Sequence, residues 1–245
     1  MRLNAVRCFA RYRVAEDART EIPSSHLITG KPKRARPYIY SEREIETILA
    51  EVLLMPHLSL LKRRTLHCVL GLLCVTGMRV SEVIELQESN IDLSAGIVTI
   101  EKSKFGKSRL IPLHETTICA LQRYREFRDS VILGPRAGQF FLVDDGSKLK
   151  GSGLRWAFNR LLERIGLREV GASRGPRLHD FRHSFAIKTL LDWYRSGEEV
   201  ERRLPTLSTY LGHSNVGCTY WYLTACPELM GHAVALIERR WEATL

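Results

Sequence analysis

From Ser41 onward the chain is a series of apolar segments with helical spacing and recognisable helix boundaries, and this pattern constrains its fold most. Ser41 and Glu44 form an S-x-x-E pattern in which each side chain can cap the other residue's backbone N–H. Gly77 predicts the end of an apolar helix over 65–75, and Ser81 predicts the cap of a short helix after it. The sequence therefore predicts a largely helical domain.

Short β-rich runs accompany these helices. The runs 97–100 and 110–113 flank the cationic stretch 101–109, which predicts an antiparallel hairpin with a basic tip. The run 139–143 predicts one more strand. Periodic spacing predicts further helices over residues 117–131, 154–165, 179–194, 206–211 and 228–242. The expected fold is mainly α with a small antiparallel β-sheet, in the α+β class.

The charge balance indicates an anionic partner. The 245 residues contain 37 Lys and Arg against 27 Asp and Glu, a net charge of +10, and an excess of this kind favours nucleic acid. No apolar run approaches the 18 residues of a membrane-spanning helix, and no secretory signal is recognisable, so a cytoplasmic location is expected. The cysteines show no zinc-ligand spacing, and no P-loop or carboxylate-rich metal site is apparent, so no cofactor is expected.

The first 40 residues carry much of the positive charge. Helical spacing predicts a helix over 3–18, followed by a proline-containing stretch that reads as an extended linker. Residues 1–20, 21–40 and 41–245 are therefore expected to be a helical segment, a basic linker and the main domain. The linker cations expected to contact an anionic partner are Lys31, Lys33, Arg34 and Arg36.

Five short segments of the main domain carry residue types suited to phosphate chemistry. T-G-M-R-V-S-E over 76–82 contains Arg79, and S-K-F-G-K-S-R over 103–109 contains Lys104. H-D-F-R-H over 179–183 places His179 and Arg182 three residues apart, on one face of a helix. The remaining two segments are L-G-H, which ends at His213, and T-Y-W-Y, which ends at Tyr222.

This ordered set resembles the active site of the tyrosine recombinase (phage integrase) family, which reads Arg…Lys…His-x-x-Arg…His…Tyr. The resemblance covers about residues 41–245 and implies the catalytic-domain fold of that family. It also implies that residues 1–20 are the last helix of an N-terminal core-binding domain. The chain departs from the family pattern at Phe181, where leucine is common, and in a charged insert over 197–203.

The resemblance implies a role for each cation. Arginine presents a planar, permanently charged fork to phosphate oxygens, so Arg79 and Arg182 suit a clamp on the nonbridging oxygens. Lys104 is implied to protonate the departing 5′ oxygen as a general acid. Lys102 and Lys107 compete with it, and either can serve as a simple phosphate contact.

The resemblance assigns the remaining roles to two histidines and a tyrosine. Tyr222 is implied to be the nucleophile that forms a 3′-phosphotyrosyl intermediate. His179 is implied to manage the tyrosine proton, and His213 to hydrogen-bond a phosphate oxygen.

Several of these residues have structural alternatives. Arg79 can be a surface cation paired with Glu82, and His179 can be a satisfied core histidine. His183 is expected to be structural support or a group that lies behind the residues in contact with the phosphate. Tyr220 and Tyr210 are rival tyrosines, and both are expected to pack rather than to react. Glu82 and Asp180 can orient the arginines or can cap helices, so neither is included among the catalytic residues.

The functional hypothesis is a site-specific recombinase of a mobile element that integrates, excises or transposes DNA. Its expected partners are double-stranded DNA, further copies of itself on paired sites and other recombinases of the same element. The predicted helix 228–242 can dock on a neighbouring subunit or on its own core. Two alternatives stay open: a catalytically silent DNA-binding accessory subunit, and an enzyme that relaxes DNA like a type IB topoisomerase.

Overall fold

The structure is a computed structural model that describes residues 2–24, 27, 37–101, 108–213, 215–225, 229–231 and 234. The chain divides into two compact units, Met1–Arg36 and Pro37–Leu245. In the first unit, helix α1 spans Arg2–Val14 and ends four residues before the predicted boundary. The Asp17 carboxylate there accepts the backbone N–H of Arg19 at 3.1 Å, a local turn that competes with helix.

The second unit confirms the predicted mainly α architecture with one small sheet. Three antiparallel strands form the sheet in the order β1-β2-β3, with Ile97 paired to Pro112 and Ile100 paired to Arg109. The strands are β1 (Ile91–Asp92), β2 (Ile97–Ile100) and β3 (Arg109–Pro112). The helices are α2 (Glu42–Val52), α3 (Leu60–Thr76), α4 (Val80–Ile84), α5 (Glu115–Val131), α6 (Gly151–Arg164), α7 (Asp180–Arg195), α8 (Val200–Leu211) and α9 (Gly217–Ala225). Over the described ranges, every helix is too short or too polar to cross a membrane.

Helix boundaries follow local capping chemistry, with one correction. The Ser41–Glu44 capping box is confirmed, because the Ser41 N–H donates to Glu44 at 2.7 Å and the Ser41 hydroxyl accepts the Glu44 N–H at 3.3 Å. Gly77 closes α3 with φ +59°. The predicted Ser81 cap is wrong: α4 begins after Arg79, whose N–H donates to the Glu82 carboxylate at 2.8 Å.

Three other predictions of secondary structure need revision or fall outside the described residues. The run 139–143 forms only isolated bridges, because consecutive buried side chains anchor it to the core instead of to a sheet. Helix α8 begins at Val200, so much of the insert 197–203 is its first turn. In the predicted helix 228–242, the described residues 229–231 and 234 are helical, and the others lie outside the description.

Two apolar clusters form the core of the second unit. The larger cluster includes α2, α3, α5, α6, the sheet and the start of α7. The smaller cluster joins α7, α8 and α9 and contains the ring of Tyr222. Tyr210 packs against both clusters, so the last turn of α8 lies where they meet.

Phe181, the residue that departs from the family pattern, packs against the start of the second unit. Its ring stacks on the Tyr40 ring with centroids 4.4 Å apart. The Tyr40 N–H donates to the Ser184 hydroxyl at 2.8 Å, and the Tyr40 hydroxyl donates to the Arg177 carbonyl at 3.2 Å. Tyr40 thus holds the chain against the first turn of α7, and an aromatic side chain at 181 provides the stacking surface.

Candidate active site

Arg79 lies at the start of α4, and its guanidinium contacts both a carboxylate and a helix end. Nη1 donates to Glu82 Oε1 at 2.7 Å, and Nη2 donates to the Gly212 carbonyl at the end of α8. The side chain is 22% exposed. Arg79 is therefore fixed by two hydrogen bonds and remains partly accessible to solvent.

A second arginine, Arg109, completes this ion-pair network. Its Nη1 and Nη2 donate to the two oxygens of Glu82 at 3.0 and 2.7 Å, a bidentate pair that is almost fully buried. Its Nε donates to the Tyr210 carbonyl at 2.7 Å. Because Arg109 begins β3, the network ties the base of the hairpin to Arg79 and to α8.

The electrostatics of Glu82 reflect its position between two guanidinium groups. Burial favours the neutral acid, but the hydrogen bonds from Arg109 and Arg79 outweigh it and lower the pKa of Glu82 from 4.5 to about 2. The carboxylate therefore stays ionised throughout the neutral range. One anion shared by two arginines leaves a net positive charge at this end of the site.

Removing the Glu82 charge is expected to destabilise the fold. Because the pKa is lower in the folded state, the ionised carboxylate stabilises the protein above pH 4.5, and this contribution is lost as the pH falls toward 2. Glu82→Gln should lower the free energy of unfolding at pH 7 by about 3 kcal/mol. Urea unfolding between pH 7 and pH 3 measures both the loss and its pH dependence.

The control for this prediction is Glu126→Gln, which changes an exposed glutamate of α5. It should leave the unfolding free energy nearly unchanged. If the unfolding free energies of Glu82→Gln and of the unmodified protein decrease equally below pH 4.5, ionised Glu82 does not stabilise the fold.

Arg182 reaches the same end of α8 from the first turn of α7. Nη1 donates to the Gly77 carbonyl at 2.8 Å, and Nη2 donates to the Leu211 carbonyl at 2.5 Å. Only 3% of the residue is exposed, and burial, reinforced by the positive charge of Arg79, lowers the pKa of Arg182 to about 10. The guanidinium remains a cation at neutral pH.

The last turn of α8 gathers both predicted clamp arginines. The Leu211 carbonyl accepts a hydrogen bond from Arg182, and the adjacent Gly212 carbonyl accepts one from Arg79. The C-terminal end of a helix carries partial negative charge, which favours cations at this position. Gly212 ends the helix with φ +66°, and a Cβ on it would lie 3.0 Å from Arg109 Nη1. A glycine is thus required both by backbone conformation and by space.

His213 follows this turn and contacts α9. Its Nδ1 lies 2.8 Å from the buried Thr219 hydroxyl, and its backbone N–H donates to the Ser208 carbonyl at 2.9 Å. The imidazole lies nearly parallel to the Tyr222 ring, with centroids 6.3 Å apart. The structure thus brings the predicted phosphate-binding histidine and the predicted nucleophile together.

Tyr222 lies on the inner face of α9, with 1% of its surface exposed. Its hydroxyl lies 3.0 Å from Nδ1 of His183. Tyr220 is 48% exposed, so the prediction that it packs is wrong. The helical period explains the difference, because Thr219 and Tyr222 share the buried face and Tyr220 points away from it.

His179 immediately precedes α7 and lies next to His183. The two rings meet edge to face with centroids 4.9 Å apart. Part of His179 is exposed to solvent. The desolvation of its ring by neighbouring protein atoms lowers the pKa of His179 below 6.5, and the positive charge of Arg182 lowers this pKa further. His179 is therefore mostly neutral at pH 7.

Five of the six predicted catalytic residues lie close together in the structure. Four of them surround the end of α8, and His179 joins them through its ring contact with His183, which contacts Tyr222. The sixth, Lys104, lies outside the described residues. So do the other predicted DNA contacts, which are Lys31, Lys33, Arg34, Arg36, Lys102 and Lys107.

Two residues left out of the sequence-based list, Glu82 and Arg109, prove central to the geometry. The only sequence signal for Glu82 is its place in the T-G-M-R-V-S-E segment, three residues after Arg79. Arg109 ends the S-K-F-G-K-S-R segment, but no pattern in the sequence pairs it with Glu82. Asp180, the other carboxylate considered, binds Arg177 at 2.9 Å. Among the side chains that the structure describes, no three or more His, Cys, Asp or Glu form a group that could hold a metal ion.

Comparison with known proteins identifies the family. The Phage integrase family model matches residues 41–228. A Sinorhizobium fredii protein, y4rB, named as an integrase/recombinase, is 45% identical over 98% of this chain and 78% of its own length. The tyrosine recombinase XerD of Oceanobacillus iheyensis is 31% identical over 90% of this chain and 68% of its own length.

Solved structures show the same fold at lower identity. The XerH site-specific recombinase bound to its difH substrate aligns with a TM-score of 0.68 and 21% identity, over 94% of this chain and 64% of that one. The Tn1549 transposon integrase in complex with circular intermediate DNA aligns with a TM-score of 0.69 and 18% identity, over 97% and 77%. By the family match and the 45% identity to y4rB, the chain belongs to the phage integrase family of tyrosine recombinases.

Proposed function

We propose that this chain cuts and rejoins double-stranded DNA at specific sites, with Tyr222 as the nucleophile. The observation that carries the proposal is the convergence of Arg79, Arg182 and His213 on the last turn of α8, with the Tyr222 ring beside His213. Two cations and an imidazole next to a phenol match the requirements of phosphoryl transfer to tyrosine.

The proposed cleavage step balances without an external energy source. Tyr222 Oη bonds to the phosphorus of a backbone diester, and the bond from phosphorus to the 5′ oxygen breaks. The phenolic proton passes to a base, and the 5′ oxygen takes a proton from the acid, the role that the resemblance gives to Lys104. The phosphotyrosyl bond keeps the diester's energy, so a 5′-hydroxyl of a second strand can reverse the step.

The buried phenol sets one condition on this reaction. With 1% of Tyr222 exposed, a DNA phosphate reaches Oη only when the groups that cover the phenol move. Cleavage is therefore proposed to follow a rearrangement on DNA, which fits an assembly of several subunits on paired sites.

DNA contacts outside the active site belong to the same proposal. The net charge of +10 supports a nucleic-acid partner, with the cationic residues of 31–36 and 102–107 on its phosphates. Helix α1 exposes Val6, Phe9 and Tyr12, an apolar surface that suits a helix of a core-binding domain. Integration, excision or transposition of a mobile element is the proposed role, in line with the names of the integrase relatives.

A nicked suicide duplex tests the proposal. Cleavage next to the nick releases a short fragment and traps the protein on DNA, so a covalent adduct should appear on a denaturing gel. Sequence-selective binding without an adduct would indicate an accessory DNA-binding subunit. Relaxation of any supercoiled plasmid, without paired sites, would indicate a topoisomerase.

Gly212→Ala should slow adduct formation. A methyl group at this position would lie 3.0 Å from Arg109 Nη1 and 3.3 Å from Arg79 Nη1, and φ +66° is unfavourable for alanine. We expect adduct formation to slow by about tenfold or more as the arginines shift, the equivalent of about 1.4 kcal/mol in the barrier. Single-turnover kinetics on the nicked duplex measure the change.

Gly166→Ala is the matched control, because Gly166 also follows a helix and has φ +74°, whereas a methyl group on it would meet no atom within 4 Å. It should cost a similar backbone strain, about 1 kcal/mol in unfolding, and leave the cleavage rate unchanged. Equal rates for the two variants would argue against a steric link between Gly212 and the arginines.

A further inference from the structure

We propose that His183 is a catalytic residue of the proposed reaction: it binds the Tyr222 phenol and accepts its proton as Oη attacks phosphorus. This inference rests on the proposed function and extends it. The resemblance gave the tyrosine proton to His179 and left His183 as structural support. The structure places a hydrogen bond of the phenol on His183, one helical turn further along α7 than His179.

The geometry of His183 suits contact with the nucleophile. Its Nδ1 lies 3.0 Å from Tyr222 Oη, within the range for direct proton transfer. The residue is 4% exposed, and its ring packs against Trp221 at 5.6 Å and against His179 at 4.9 Å between centroids. Because α7 also carries Arg182 at the preceding position, one rigid helix positions both the phosphate clamp and the proton acceptor.

The chemistry requires an acceptor at this place. Phenols ordinarily titrate near pH 10 and imidazoles near pH 6.5, so at neutral pH a phenol keeps its proton and an imidazole can take it. The Tyr222 side chain is almost fully buried, which keeps bulk water away from its hydroxyl. The imidazole of His183 is therefore an acceptor within direct reach of the phenol.

The proton balance closes over one cleavage and one rejoining. During cleavage the Oη–P bond forms while the phenolic proton moves to Nδ1 of His183. During rejoining a 5′-hydroxyl attacks phosphorus and gives its proton to the group that acted as the acid in cleavage. The Oη–P bond then breaks, and His183 returns its proton to the tyrosine. The acid on the 5′ oxygen is a separate group, so His183 and Lys104 should respond differently to changes in the leaving group.

The test is single-turnover adduct formation by His183→Asn on the nicked duplex. Asparagine places an amide near the Nδ1 position and can still hydrogen-bond Tyr222, but it cannot take a proton. We expect adduct formation to slow by about 10²- to 10⁴-fold with unchanged DNA affinity. His183→Gln is measured alongside it, because a buried position can tolerate one amide and not the other.

Two further measurements separate proton transfer from a structural role. A fluorinated tyrosine at 222 that is already ionised at neutral pH should restore most of the rate lost in His183→Asn. A substrate with sulfur in place of the bridging 5′ oxygen needs no acid for its leaving group and should not restore that rate. If the sulfur-containing substrate restores the rate of His183→Asn as much as the fluorinated tyrosine does, His183 is not the acceptor of the tyrosine proton.

The outcomes for function and inference are distinguishable. An adduct with the unmodified protein and a folded His183→Asn or His183→Gln variant that cleaves at the unmodified rate would overturn the role of His183 and leave the proposed function standing. No adduct with the unmodified protein would overturn both.

Discussion

Replacing Tyr222 by phenylalanine is expected to abolish the covalent adduct while DNA binding persists. The substitution removes one oxygen from a buried ring and changes no charge, so binding to DNA phosphates should be unaffected. Because the proposed pathway has Tyr222 as its nucleophile, adduct formation should fall by at least about 10⁴-fold. Denaturing gels on the nicked duplex and a binding titration measure the two properties.

Tyr220→Phe is the control for this substitution. Tyr220 lies two residues away on the same helix, points outward and is half exposed. Its phenylalanine variant should form the adduct at the unmodified rate. An adduct that persists in Tyr222→Phe and disappears in Tyr220→Phe would move the nucleophile to Tyr220.

Arg182→Lys is expected to slow adduct formation by about 10²- to 10³-fold. The guanidinium donates to two carbonyls on different elements, those of Gly77 and Leu211, and a single ammonium cannot reproduce that planar fork. One buried carbonyl then loses its partner, at a cost of about 1–3 kcal/mol in unfolding free energy. Single-turnover kinetics and urea unfolding measure both effects.

Arg177→Lys tests whether this loss is specific to the clamp. Arg177 precedes α7 and its side chain is mostly exposed, but it pairs with the buried carboxylate of Asp180 at 2.9 Å. Lysine keeps a positive charge beside that carboxylate and loses the fork of two N–H donors, so we expect some loss of stability and little change in the cleavage rate. An unmodified cleavage rate in Arg182→Lys would contradict the phosphate clamp, and equal losses in the two variants would indicate general sensitivity of this helix end.

The mainly α fold and several helix ends were predictable from the sequence because their signals are local. The Ser41–Glu44 capping box and the glycine that ends α3 act within a few residues, and both are confirmed. The candidate catalytic residues were recognised through short motifs in a characteristic order. The start of α8 was predicted incorrectly. The predicted helix began after Pro205, whereas the observed helix begins at Val200 and contains that proline.

The support of the site depends on contacts between distant residues, which no local pattern reveals. Glu82 and Arg109 are 27 residues apart, and Arg79 contacts a carbonyl 133 residues further along the chain. The stacking of Phe181 on Tyr40 and the contact of His183 with Tyr222 are likewise products of packing. The sequence therefore predicts the candidate reacting groups, whereas the fold determines which residues hold them in place.

Peptide mapping of the trapped adduct by mass spectrometry tests the central claim most directly. After nuclease and protease digestion, the peptide that contains α9 should carry a residual nucleotide joined through phosphate to Tyr222. A nucleotide on Tyr220, or on any side chain outside α9, would contradict the proposed mechanism.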